Sequence, residues 1–165
     1  YISNYTSLNF SDLQINFIGN TSEKIKKELS KRKFKNSIKF YDYVDFNKAT
    51  ELMCSSQVLL MVEVNDEESS YAIPGKLFDY LNSKRPIISI GPTDSEVAQI
   101  LNNTASGKFF NYREAHSLKS HIKKLYDRFK NGLNNSNTNQ SIEKYNRKNL
   151  TRGLSEIIGL VTRKS

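Results

Sequence analysis

The chain has one cysteine, Cys54, among its 165 residues. It can form no internal disulfide, which points to a reducing compartment and so to the cytoplasm. Histidine is almost as scarce. His116 and His121 stand five apart on one expected helix, off the facing i,i+4 geometry, with no cysteine or acid cluster beside them. That is no metal-ligand pattern, and both read as surface histidines. No apolar run approaches the length of a spanning helix, and the opening residues "YISNYTSLNF" carry no signal-peptide apolar segment. The glycine-rich G-x-G-x-x-G fingerprint and the P-loop lysine motif are also missing. A receiver-type domain would need paired acids after the first strand, and the chain has Gly19-Asn20 there.

Apolar residues make up only 37 %, and the deficit is local: residues 130–141, "KNGLNNSNTNQS", read as a solvated loop. The length fits a single domain over residues 1–165. Lysine and arginine exceed aspartate and glutamate by 25 to 17, a net charge of +8. Such a balance favours anionic partners: nucleotides, anionic membrane head groups or nucleic acid. The lysines of "SEKIKKELSKRKFK" interleave with apolar positions and with Glu23 and Glu28, the pattern of a solvated helix face rather than a nucleic-acid patch.

Short apolar runs alternate with longer amphipathic segments. Strands are expected at residues 13–19, 37–44, 57–64, 86–91 and 108–112. The third, "QVLLMVEV", is continuously apolar enough to suggest a strand covered on both faces. Helices are expected at 21–32 (capped by Thr21 or Ser22), 47–56 (capped by Asn47), 75–82, 93–103, 113–131 and 141–161. Thr93 and Glu96 have capping-box spacing. Cys54, beside Leu52 and Met53, reads as a small core residue. Leu118, Ile122, Leu125 and Phe129 form the apolar stripe of the fifth helix. This alternation predicts an α/β, Rossmann-like fold: one parallel sheet of about five strands flanked by helices, with ligands at the carboxyl ends of the strands.

All three prolines lie between residues 71 and 101, and Pro74-Gly75-Lys76 stands directly before an apolar helix. Proline suits a helix start, but a lysine there opposes the helix dipole. A dianion held by the free amides would resolve the conflict, with Lys76 adding its charge. Asp79, three residues on, could then accept hydrogen bonds from vicinal hydroxyls such as those of a ribose. The alternative is an i,i+3 ion pair between Lys76 and Asp79 over a core of Leu77, Phe78 and Leu81.

The segment "IPGKLFDYLNSKRPIISIGPTDSEVAQIL" resembles the donor-binding half of family 4 glycosyltransferases of the GT-B fold. "INFIGN", "IKFYDYVDFNKATELMCSSQVLLM" and "EKYNRKNLTRGLSEII" are similar to the same family in order and spacing. The resemblance implies one half of a GT-B enzyme that binds a nucleotide-diphosphate sugar. The sugar would pass to an acceptor hydroxyl with retention and without metal, in polysaccharide or glycolipid synthesis. Asp79 matches the family's ribose-binding glutamate. Lys76 would stabilise charge on the diphosphate, whose cradle is the backbone around Ala72, Ile73 and Gly75. Tyr43 and Val44 match the base-contacting turn. Position 71, where the family keeps an acid near the donor sugar, holds Tyr71. Glu67 and Glu68 stand in the preceding acidic loop.

The family's Arg-and-Lys pair, its preceding strand and the N-terminal acceptor domain have no counterpart here, so the chain is expected to be an excised piece that binds nucleotide without catalysing transfer. No cofactor is implied beyond the donor itself; the partners are the nucleotide sugar, the missing domain and, at the periphery, an anionic membrane at its inner face. Two other classes remain open: a nucleotide-sugar epimerase or hydrolase on the same architecture, and a non-catalytic basic binding module.

Overall fold

The five apolar runs form five strands in a computed structural model that describes residues 10–63, 73–133 and 140–162. The strands are β1 (Ile15–Ile18), β2 (Ile38–Tyr41), β3 (Leu59–Val62), β4 (Ile87–Gly91) and β5 (Gly107–Asn111). The helices are α1 (Glu23–Ser30), α2 (Phe46–Ser55), α3 (Lys76–Asn82), α4 (Glu96–Thr104), α5 (Ala115–Lys130) and α6 (Arg147–Thr162). Short 3₁₀ turns occupy Phe10–Asp12, Lys35–Ser37 and Gln140–Tyr145. Every strand pair is parallel, so the α/β class holds.

The strands do not make one sheet. β1 pairs with β2, and β3-β4-β5 form a separate three-stranded sheet with β4 in the middle. The division falls at β3. The amides of Leu59 and Glu63 donate to Pro86 O and Ile90 O, each at 2.9 Å, which commits the odd residues of β3 to β4. Strand alternation then turns the backbone groups of Leu60 and Val62 to the other side, where no strand among the described residues pairs with them. Their side chains are 49 % and 54 % exposed, whereas Leu59 and Met61 are buried. β3 is therefore an edge strand covered on one face, and not the doubly covered strand that its apolar run predicts.

The covered face carries the core. Leu59, Met61 and Ile87 from the sheet pack with Leu77 and Leu81 of α3 and with Val97, Ile100 and Leu101 of α4. Met53 of α2 and Ile142 and Tyr145 of the last 3₁₀ turn close the cluster's margin. Strands β4 and β5 approach very closely at Gly107, where a Cβ would collide with the backbone of Ile87, its partner in register. On the opposite face α5 packs on β5, and the half-buried His121 ring lies 5.6 Å from the buried Phe110 ring. His121 is thus no surface residue, while His116 is exposed. Of the expected α5 stripe, Leu118, Ile122 and Leu125 are half-buried and Phe129 is exposed; the buried residue is Tyr126. Its hydroxyl donates to Asp12 Oδ2 at 2.7 Å, and Lys130 Nζ joins the same oxygen at 3.1 Å. Those two hydrogen bonds, Tyr126 first, hold the Asp12 carboxyl below its ordinary range.

In the smaller sheet Phe17 and Phe40, opposite one another in register, stack at 5.3 Å. Ser22 caps α1 by accepting from Ile25 N at 3.4 Å. α2 is capped by Asp45, which accepts from Lys48 N at 2.9 Å; Asn47 already lies inside the helix. Cys54 is exposed rather than in the core; Met53 takes the core-facing position. The final segment is not one helix: it breaks at Asn146, whose side chain caps α6 by accepting from Asn149 N at 2.8 Å.

Candidate functional site

In parallel sheets the carboxyl ends of the strands offer free backbone groups and loops, and ligands gather there. The segment singled out from sequence occupies such a place. It follows β3 and begins, among the described residues, at Ile73. Its first turn is tight: Leu77 N donates to Pro74 O at 2.9 Å and Phe78 N to Gly75 O at 3.1 Å. Leu77 and Leu81 are fully buried, and these two anchors fix how α3 is rotated. Lys76 is left exposed and Asp79 half-buried. Among the described residues the two are not ion-paired with one another, so the i,i+3 pair that local spacing allows is not formed. Gly75 stands before α3 with nothing within 4 Å of where a Cβ would be, so the space above it is open. Ile73 is also exposed. Tyr71 and Ala72 lie outside the described residues, as do Glu67 and Glu68.

Tyr43 and Val44 come after β2 and therefore belong to the other sheet. Tyr43 is 84 % exposed and Val44 half-buried. The structure thus brings Ile73, Gly75, Lys76 and Asp79 together by chain continuity. It leaves Tyr43 and Val44 at the carboxyl end of a strand in a separate sheet.

A second group at the carboxyl ends of the larger sheet escaped the sequence. Glu63, immediately after β3, is buried at 8 % exposure. Its carboxylate accepts from Ser95 Oγ at 2.7 Å and from Ser89 Oγ at 3.4 Å, both serines being buried. Ser95 also caps α4, accepting from Val97 N at 3.1 Å. It displaces the expected cap Thr93 because residues 92–95 close a turn, Ser95 N donating to Pro92 O at 3.3 Å. Tyr112, after β5, donates its hydroxyl to the Glu63 carbonyl at 2.8 Å. Burial, and then the charge of Glu63, raise that phenol above its ordinary range. A side chain at Gly91 would occupy the space of the Glu63 carboxylate. One acid therefore ties the ends of three strands, and the hint in sequence was a glutamate within the apolar run "LLMVEV".

Elsewhere, a cavity of about 240 Å³ is lined by Leu29, Ser30, Lys35, Asn36, Ile38 and Phe40, at the amino end of β2 and away from this chemistry. Among the described residues, no group of three or more His, Cys, Asp or Glu could hold a metal ion, and no helix is long and apolar enough to cross a membrane. Compared with known protein families, curated proteins and solved structures, the chain matches none.

Proposed function

We propose that the chain is the nucleotide-sugar-binding domain of a GT-B-type glycosyltransferase, with its donor at the start of α3. The observation that carries this is the state of the Pro74–Asp79 segment. It stands at the carboxyl end of a parallel sheet, anchored by two buried leucines. Its lysine and aspartate face outward, unpaired with each other. A lysine at a helix start that the aspartate one turn on does not neutralise suits a diphosphate.

In this proposal Lys76 places its ammonium against the diphosphate. Asp79 accepts hydrogen bonds from the ribose hydroxyls, and the backbone of Ala72, Ile73 and Gly75 borders the phosphates. Tyr43 and Val44 meet the base, and Tyr71 stands by the sugar. During transfer the bond between the anomeric carbon and the diphosphate oxygen breaks while the acceptor oxygen bonds to that carbon and gives up its proton. The electron pair departs with the diphosphate, and a fixed cation that stabilises it lowers the barrier. Retention, a polysaccharide or glycolipid acceptor, a further domain that binds the acceptor and a cytoplasmic setting belong to the same proposal.

Calorimetric titration with UDP, GDP and dTDP tests it. At least one should bind, and Lys76→Ala and Asp79→Ala should each weaken that binding by roughly tenfold or more, the usual effect of losing a hydrogen bond to a charged group. The proposal is wrong if no nucleoside diphosphate binds, or if both substitutions leave affinity unchanged. Binding to polyanions at large that ignores both residues would point instead to a basic binding module.

A further inference from the structure

We infer that the cavity between the end of α1 and the start of β2 binds a small aromatic carboxylate. The cavity has a volume of about 240 Å³ and is lined by Leu29, Ser30, Lys35, Asn36, Ile38 and Phe40. Sites for drug-sized ligands run from roughly 300 to 1,000 Å³, so this one takes a smaller molecule, of about one ring.

Its walls divide by chemistry. Leu29 of α1 joins Ile38 and Phe40, which stand two apart on β2 and so share one face of the smaller sheet. The Phe40 ring is still 38 % exposed although Phe17 stacks on it at 5.3 Å. An aromatic ring left open beside two aliphatic side chains is a surface on which a second ring packs well. The polar side comes from a tight turn, in which Lys35 N donates to Arg32 O at 3.0 Å. The Ser30 hydroxyl is committed to Lys27 O at 2.8 Å, which leaves Lys35 and Asn36 as the donors that a ligand would meet.

Charge selects the ligand's polar end. The turn at residues 31–35, "KRKFK", holds four cations. Lys31 pairs with Glu28 at 2.7 Å. Among the described residues, Arg32, Lys33 and Lys35 are in no ion pair. A cationic rim over an apolar floor selects a molecule with both characters. A neutral ring gains nothing from the rim, and a bare inorganic anion gains nothing from the floor. The cavity lies at the amino end of β2, whereas the proposed donor site follows the carboxyl end of β3, so this inference is independent of the nucleotide reading. A ligand there touches α1, the turn and β2 together. Bound only by the folded state, it stabilises the smaller sheet.

Amide NMR titration of the full chain with phenylacetate tests it. Shifts are expected at Leu29, Ser30, Lys35, Ile38 and Phe40, and hydrogen exchange should slow in β1 and β2 but not in β4. Three relatives of the probe each lack one property. Acetate has no ring, phenylacetamide has no charge, and phenethylamine carries the opposite charge. Each should bind about tenfold more weakly or worse, and Lys35→Ala should weaken phenylacetate by about tenfold. Lys35 is exposed, so its replacement leaves the fold intact. The inference is overturned if phenylacetate shifts none of these amides, if any of the three relatives binds as tightly, or if Lys35→Ala leaves its affinity unchanged.

Discussion

His121 shows what one half-buried ring does to the pH response of this molecule. Burial against Phe110 lowers its pKa from the ordinary 6.5, and the nearby Lys108 and Lys124 push the same way. The folded protein thus holds the neutral ring, whereas the unfolded chain takes up a proton near the ordinary value. Stability from this residue is complete above about pH 6.5 and is lost as pH falls through the folded value. Thermal melts from about pH 7 down to pH 5 should show a declining midpoint that flattens in His121→Asn, relative to wild type. An unchanged acid slope in that variant would remove His121 as its source. The residue scale also held an ambiguity that the sequence left open. Spacing left Lys76 and Asp79 equally suited to an ion pair or a ligand site, and in the fold, with α3 anchored by Leu77 and Leu81, the ion pair is not formed.

At the scale of elements, the five strands and six helices fall on the segments that hydrophobic periodicity marks, apart from the break at Asn146, because an apolar repeat is a local property of the chain. The ends are a different matter. Ser95, not Thr93, caps α4, and Asp45, not Asn47, caps α2. Several capping side chains lie within two or three positions of each start, and the choice among them depends on turns such as Pro92–Ser95. Ser95 both caps α4 and donates to Glu63. Ser95→Ala should therefore cost more than an ordinary cap, about 2–3 kcal/mol in urea unfolding, because it also leaves a buried carboxylate short of a donor. Ser89→Ala, removing the longer 3.4 Å contact, should cost clearly less. Equal losses would mean that the cap adds nothing beyond the hydrogen bond to Glu63.

On the scale of the whole molecule, strand partnership was the least legible property. A parallel pair joins residues far apart in sequence, and nothing local in "QVLLMVEV" says that β3 has one neighbour instead of two. The two sheets differ accordingly in protection. β4 is buried along most of its length, whereas Ile15, Ile18, Phe40 and Tyr41 of the smaller sheet are exposed. Hydrogen exchange should find the amides of β1 and β2 opening well before those of β4, as expected of two strands without a covered face. Equal protection in both sheets would show that they unfold as one unit.

The meeting of Glu63 with Gly91 has a consequence for how such a chain can drift. The acid occupies the volume that any side chain at position 91 would need. The two positions share one allotment of space, and neither is free to change alone. A larger residue at 91 becomes tolerable only after 63 has shortened. Shortening 63 in turn strands the hydroxyls of Ser89 and Ser95. Substitution at these strand ends therefore has an order: the serines relax first, the glutamate second and the glycine last.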